Sequence, residues 1–293
     1  MSAAAEELAS AGAAAGTWSA SLKRVLRRRE AKIGLALTLV FLALTVAAPL
    51  LAPYAPYDQD LSDTLLPPSA QHLFGTDQYG RDMFSRVLYG SRTALLAIIV
   101  ADGLALALGS ALGLVGGFLG GAVDAIVMRL VDVLLAFPYL LLALIIVAAL
   151  GPSLTNSMIA IGIVYTPQYA RLIRGQVLSV RASDYVRAAR AVGASHLRIM
   201  LRHVLPNSVN PVIVMATLQA GSVVVETAGL SFLGLGAQPP SPDWGALLAD
   251  GHSYFLSAWW IATFPGLAIF CVVLGFNLLG DALREQFDPR RRR

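Results

Sequence analysis

Charge is scarce in this chain: only 14% of its 293 residues are Asp, Glu, Lys or Arg, while 56% are hydrophobic. A soluble domain carries about 25% charged residues, so the composition excludes an ordinary water-soluble fold and points to a polytopic membrane protein. Cysteine is scarcer still. Cys271 stands alone within an apolar run, which rules out a disulfide framework or a thiolate metal cluster. There is no GxxxxGK[ST] phosphate loop, no HExxH pair and no GxSxG elbow, so the chain neither hydrolyses ATP through a P-loop nor resembles the common hydrolases. His72, His196, His203 and His252 fall on segments assigned to opposite sides of a membrane, which leaves no nucleophile with a base. We therefore expect no catalytic residue, no metal site and no enzyme. The sequence pI near 9.4 would suit nucleic acid. The basic residues, however, sit at the ends of apolar runs, where membrane topology puts them.

Residues 1–32 read as a cytoplasmic tail, poor in bulky apolar side chains up to residue 22 and then strongly basic in KRVLRRREAK, 23–32. That basic run precedes an apolar stretch and is read as a membrane-surface anchor rather than an RNA site. Residues 33–52 supply about 20 apolar positions, enough to cross about 30 Å of hydrocarbon. A cleaved signal peptide is the competing reading, disfavoured by the length of the run and the late start of its charges. Residues 53–92 form a polar external segment in which Asp82 and Arg86 stand four apart and can pair on a short helix. It is either a loop packed on the outer face or a docking surface.

Residues 93–280 contain five further spans, at 93–115, 125–150, 158–172, 209–230 and 258–279, with a cytoplasmic loop at 175–206 and an external loop at 233–257. Residues 281–293 are a basic tail. Asp102 lies near the middle of the second span, where a carboxylate must face protein or water. Gly109, Gly113 and Gly117 allow a close helix approach. Arg129 and Asp132 can pair on one face of the third span, and Pro138 and Pro167 are expected to kink the third and fourth. Glu226 falls near the outer end of the fifth, as a packing carboxylate or part of a gate. Of the 22 basic residues, 18 fall on segments assigned to the cytoplasm. The fold expected is thus an all-α polytopic membrane protein with six transmembrane helices and both termini inside.

The most informative stretch is RASDYVRAARAVGASHLRIMLRHVLP, 181–206, a polar island between membrane-length apolar runs. Ser183 or Asp184 can cap a short helix with Tyr185, Ala189 and Val192 on one face. Gly193 breaks it, and Ser195 caps a second in which Leu197, Leu201 and Val204 repeat the spacing until Pro206 stops it. Arginines 187, 190, 198 and 202 line the wet side.

Ala188, Ala189, Gly193 and the pair Leu205-Pro206 in this stretch resemble the EAA-type cytoplasmic loop of bacterial ABC importer permeases. The family usually has Glu where Arg187 stands and Ile where His203 stands. The segments HLFGTDQYGRDMFSRVLYGSR (72–92), SFLGLGAQPPSPDWG (231–245) and GFNLLGDALREQFDP (275–289) are similar to the dipeptide/oligopeptide/nickel permeases, in particular to C-type subunits. The resemblance covers nearly everything from residue 30 onward.

It implies a type I ABC importer permease in the bacterial cytoplasmic membrane, with Tyr185, Arg187, Ala188, Ala189, Gly193, Ala194, Leu205 and Pro206 forming the loop that couples to the ATPase. It also implies four partners besides lipid: a second, homologous permease, two ATP-binding subunits and an extracytoplasmic substrate-binding protein, with no nucleic acid among them. ATP and Mg would be bound by the ATPase subunits and no cofactor by this chain. Short peptides are the substrate the resemblance implies first, with nickel chelates, haem or another small solute as the alternative. A channel or scaffold subunit not driven by ATP is the more distant one. Asp102 and Glu226 are the candidates to line a path.

Overall fold

The computed structural model describes residues 28–287. The expectations for the segment before Arg28, including the first half of the basic run, and for the residues after Phe287 lie outside them. Every extended element among the described residues is a helix, as the long apolar runs require when no water is at hand to satisfy a strand's backbone.

Helix α1, Arg29–Leu51, begins inside the basic run rather than at Ile33. Its buried residues Ala31, Gly34, Thr38, Phe41, Thr45 and Ala48 recur at three- and four-residue steps, forming one stripe. Thr38 and Thr45 donate back to the carbonyls of Gly34 and Phe41 at 2.9 and 2.7 Å, so neither hydroxyl is left unpaired in an apolar setting. The segment that follows folds onto the start of α2, Met83–Ala97, which Asp82 caps by accepting from Ser85 N at 2.7 Å. Asp82 also meets His72 Nδ1 at 2.9 Å, so the expected pairing of Asp82 with Arg86 does not form. The Arg86 guanidinium, 1% exposed, donates instead to the carbonyls of Pro56, Pro240 and Ser241 and faces Asp77 at 3.6 Å.

α2 continues through a π-turn, Ile98–Asp102, into α3, Gly103–Leu119, as one 37-residue rod. The expected third span is not one kinked helix. It is two, α4 (Gly121–Leu135) and α5 (Tyr139–Leu150), bent by 93° at the break. Pro138 lacks a donor and pushes Phe137 out of helical geometry, and no neighbouring turn restores the ladder. Arg129 and Asp132 do not pair either, because Asp132 reaches across to Arg171 Nη2 at 2.8 Å.

α6, Leu154–Arg181, runs uninterrupted through Pro167 and past the expected end at 172. α7, Asp184–Ala191, is followed by α8, His196–Ile199, a second π-turn at Met200–Val204, and α9, Leu205–Phe232. Pro206 therefore does not end a helix. It sits in the first turn of α9, directly after a π-turn that shifts the hydrogen-bond register, where a missing donor costs little. α10, Trp244–Ser253, and α11, Trp260–Phe287, complete the chain.

Four helices, Arg29–Leu51, Met83–Leu119, His196–Phe232 and Trp260–Gln286, are long and apolar enough to cross a bilayer, and the bent α4–α5 pair makes a fifth if it counts as one span. α6 has the length, with 28 residues. It is held below that apolarity by Gln168, Arg171, Arg174 and Gln176.

Candidate functional site: an exposed elbow and the groove behind it

The centre of the molecule is a wall made by α3, α6 and α9. Along α3, Gly109 and Gly113 lie directly against α6, where a Cβ at Gly113 would strike the Ala170 carbonyl and stand 3.0 Å from Arg174 N. At one end of the wall the chain turns through residues 182–204, and Arg181 Nη1 donates to Gly117 O at 3.3 Å, tying the ends of α3 and α6 together. Arg174 Nη2 donates to Asp124 Oδ2 at 2.6 Å, fixing the start of α4 to the same end. Gly221 lies against Asn277 and Val273, while Gly280 meets Leu218, so α11 runs antiparallel to α9 and its C-terminus reaches this end too.

The elbow presents a face that spacing alone did not assign. Val186, Ile199 and Val204 are its fully buried side chains, with Ala189 and Ala194 packed beside them. Tyr185, Val192, Leu197 and Leu201, all members of the apolar stripes read from spacing, point outward, with Val192 84% and Leu197 62% exposed, while Val204 of the same stripes is buried. Arg187, Arg190 and Arg198 are exposed among them, and Arg187 pairs at the surface with Asp184 at 2.6 Å. Ala188 and Pro206 are exposed as well, while Leu205 is half-buried. Ser183 occupies the cap position of α7, but its hydroxyl donates to Val180 O; Ser195 caps α8 by accepting from Arg198 N at 3.4 Å. Gly193 forms the bend at φ +82°, a left-handed conformation disfavoured for β-branched residues. The exposed surface is thus apolar with a basic rim, the composition of a docking face rather than of a solvated loop.

Behind the elbow, α3, α6 and α9 enclose a groove of ≈ 420 Å³ lined by Leu106, Ser110, Ile173, Leu205, Ser208, Val209, Val212, Ile213, Ala216 and Thr217. One helical turn farther from the elbow than Leu106 and Ile173 stand Asp102 and Tyr169. The Tyr169 hydroxyl donates to Asp102 Oδ1 at 2.6 Å, and Asp102 is 6% exposed. Tyr165, a further turn along α6, donates to Glu226 Oε1 on α9. Between the two pairs Gln219 Nε2 donates to Gln168 Oε1 at 3.2 Å. One face of α6 therefore ties α3 and α9 together beyond the groove.

A family model described as binding-protein-dependent transport system inner membrane component matches residues 105–293, which hold the elbow, the groove and both carboxylate-bearing helices apart from Asp102. The chain belongs to this family. A second model, the N-terminal TM domain of oligopeptide transport permease C, matches residues 16–68. Curated relatives of this inner membrane component include the dipeptide transport system permease protein DppC of Alkalihalophilus pseudofirmus, 44% identical over 93% of this chain and 90% of that one. The probable D,D-dipeptide transport system permease protein DdpC of Escherichia coli is 49% identical over 86% and 84%. The glutathione transport system permease protein GsiD of Escherichia coli is 42% identical over 93% and 90%. Among solved structures, a chain of the MetNI methionine ABC transporter in an inward-facing conformation aligns with TM-score 0.57 at 16% identity, covering 70% of this chain and 98% of that one. The fold is that of a type I ABC importer permease, and the protein is a multi-pass component of the inner membrane.

For this inner membrane component the two lining candidates meet different surroundings. Asp102 is enclosed between α3 and α6, while Glu226 is half-buried. Tyr165, Gln168, Tyr169 and Gln219 escaped the sequence reading because they are uncharged. Their signal is the spacing of three and four residues that puts Tyr165, Gln168 and Tyr169 on one face of α6.

Proposed function

We propose that this chain is the membrane permease of an ATP-driven importer that takes up short peptides. The observation that carries the reading is the continuity of the elbow with α6 on one side and α9 on the other, two of the three helices that wall the groove. A partner that grips the exposed face of the elbow gains leverage on both walls, which is what a motor needs to open and close a path. The ATPase is that partner, and residues 185–206 are its handle. Nucleotide and Mg belong to the ATPase subunits, and this chain performs no catalysis of its own.

The elbow end is cytoplasmic, in keeping with the arginines gathered there, and six crossings with both termini inside complete the topology. A homologous permease supplies the other wall of the path, two ATPase subunits close against the pair, and an extracytoplasmic binding protein delivers substrate to the face built on Arg86. Peptides are favoured over metal chelates because the relatives' names refer to dipeptides and glutathione.

Gly193→Val tests the lever. Its φ of +82° is hostile to a β-branched residue, while the surrounding space is open, so the elbow deforms without disturbing the membrane core. In proteoliposomes holding the full complex, ATP hydrolysis should continue while ATP-dependent peptide uptake falls about tenfold or more. Uptake equal to wild type would contradict the lever.

A further inference from the structure

We propose that Glu226 is a contact for the substrate's cationic amino group at the outward end of the groove; this rests on the reading of the chain as a peptide permease. Glu226 lies 18 residues after the groove-lining Ser208, which is five helical turns, so the two share a direction on α9. Tyr165 stands eight residues before the groove-lining Ile173 on α6, about 12 Å outward along its axis. Thr217 to Glu226 gives about 13.5 Å on α9 by the same measure. The Tyr165–Glu226 pair thus joins α6 to α9 at a single level, outward of the groove-lining residues.

The charge there is unbalanced. Carboxylates near the elbow end have cations, Asp124 with Arg174 and Asp132 with Arg171. Among the described residues neither Asp102 nor Glu226 has an arginine or lysine within ion-pair distance. A carboxylate inside a span is costly unless paired, a cost that a cation in the path offsets. Asp102 is sealed and bonded to Tyr169, whereas Glu226 is half-buried. Two turns of α9 nearer the elbow, Gln219 donates to Gln168 of α6, and this pair holds further amide groups suited to the uncharged remainder of a peptide. An ammonium is the matching ligand: it bears the missing charge and donates three hydrogen bonds.

The experiment separates this role from that of a latch. Glu226→Gln keeps the size and the acceptor for Tyr165 but removes the charge, and Tyr165→Phe breaks the latch but keeps the charge. Labelled-dipeptide uptake and ATP hydrolysis are measured together in the reconstituted complex. Wild-type uptake that requires ATP establishes the importer independently of either variant. Glu226→Gln should lower uptake about tenfold with ATP hydrolysis retained, Glu226→Asp should recover part of it, and Tyr165→Phe should stay within about twofold of wild type. Loss in Tyr165→Phe equal to that in Glu226→Gln, or no loss in Glu226→Gln, overturns the proposal. A requirement for sodium, seen as lost wild-type uptake when choline replaces it, would overturn it too and assign the carboxylate to an inorganic cation.

Should Glu226→Gln fail to co-purify with its partners, the wild-type complex supplies the test. Carbodiimide activation during turnover should link the labelled dipeptide's amine to the peptide fragment containing Glu226. Label found only elsewhere would contradict the contact.

Discussion

At the scale of single residues, the sequence announced the charged side chains in apolar surroundings and left their partners hidden. Arg86 shows why. Four-residue spacing makes Asp82 its natural mate, yet the chain brings Asp77 and the carbonyls of Pro56, Pro240 and Ser241 against it across 154 and 155 residues in the last two cases. Asp77 keeps Arg81 at 2.6 Å, so removing the guanidinium by Arg86→Ala acts mainly by leaving the buried carbonyls of Pro56, Pro240 and Ser241 without their donor, and should destabilise the protein by about 3 kcal/mol. Thermal unfolding in detergent checks this; a change under about 1 kcal/mol would contradict it. Thr227 behaves in the opposite sense. Its Oγ1 is buried without a hydrogen-bond partner beside Thr93 and Asp243. Thr227→Val replaces it at equal volume and should raise stability by about 1 kcal/mol. A fall in the unfolding temperature would mean the hydroxyl is engaged when the complex assembles its native surroundings.

At the scale of elements, existence was legible and continuity was not. Every long apolar run became a helix. The two prolines show where local rules ran out: Pro138 severs its helix into pieces bent by 93°, while Pro206 is absorbed because a π-turn precedes it. The difference lies in the hydrogen-bond register of the preceding turn, which is set by packing and not by the dipeptide. Which apolar side chains of the elbow turn inward was illegible for a similar reason. Tyr185, Val192, Leu197 and Leu201 have the right period for packing, but Val186, Ile199 and Val204 are the side chains that turn inward. The apolar residues left outside need a partner, and the sequence alone cannot say which of two apolar stripes meets the protein's own core. The glycines of α3, by contrast, were read correctly as close-approach sites. Gly113→Leu should force α3 from α6 and abolish co-purification of a folded complex, because backbone, not a mobile side chain, occupies the space. Normal yield and uptake from that variant would contradict the packing described here.

At the scale of the whole molecule, the proposed function makes the groove one wall of a path. Its two ends differ: an apolar face with a basic rim at the elbow, and Tyr–carboxylate pairs beyond the other end. Such a half-site has meaning only in an assembly, which is why composition and motifs pointed to the class of machine while leaving the substrate to the relatives. The central claim is that ATP hydrolysis by partner subunits drives peptide through this wall. The direct measurement is ATP-dependent accumulation of a labelled dipeptide in proteoliposomes containing this chain, its homologous permease, the ATPases and the binding protein, with each component omitted in turn. The account expects accumulation that disappears when any one component is left out. A complete complex that hydrolyses ATP in response to its binding protein yet accumulates no peptide would contradict the peptide assignment, and flux that persists without ATP would contradict the importer itself.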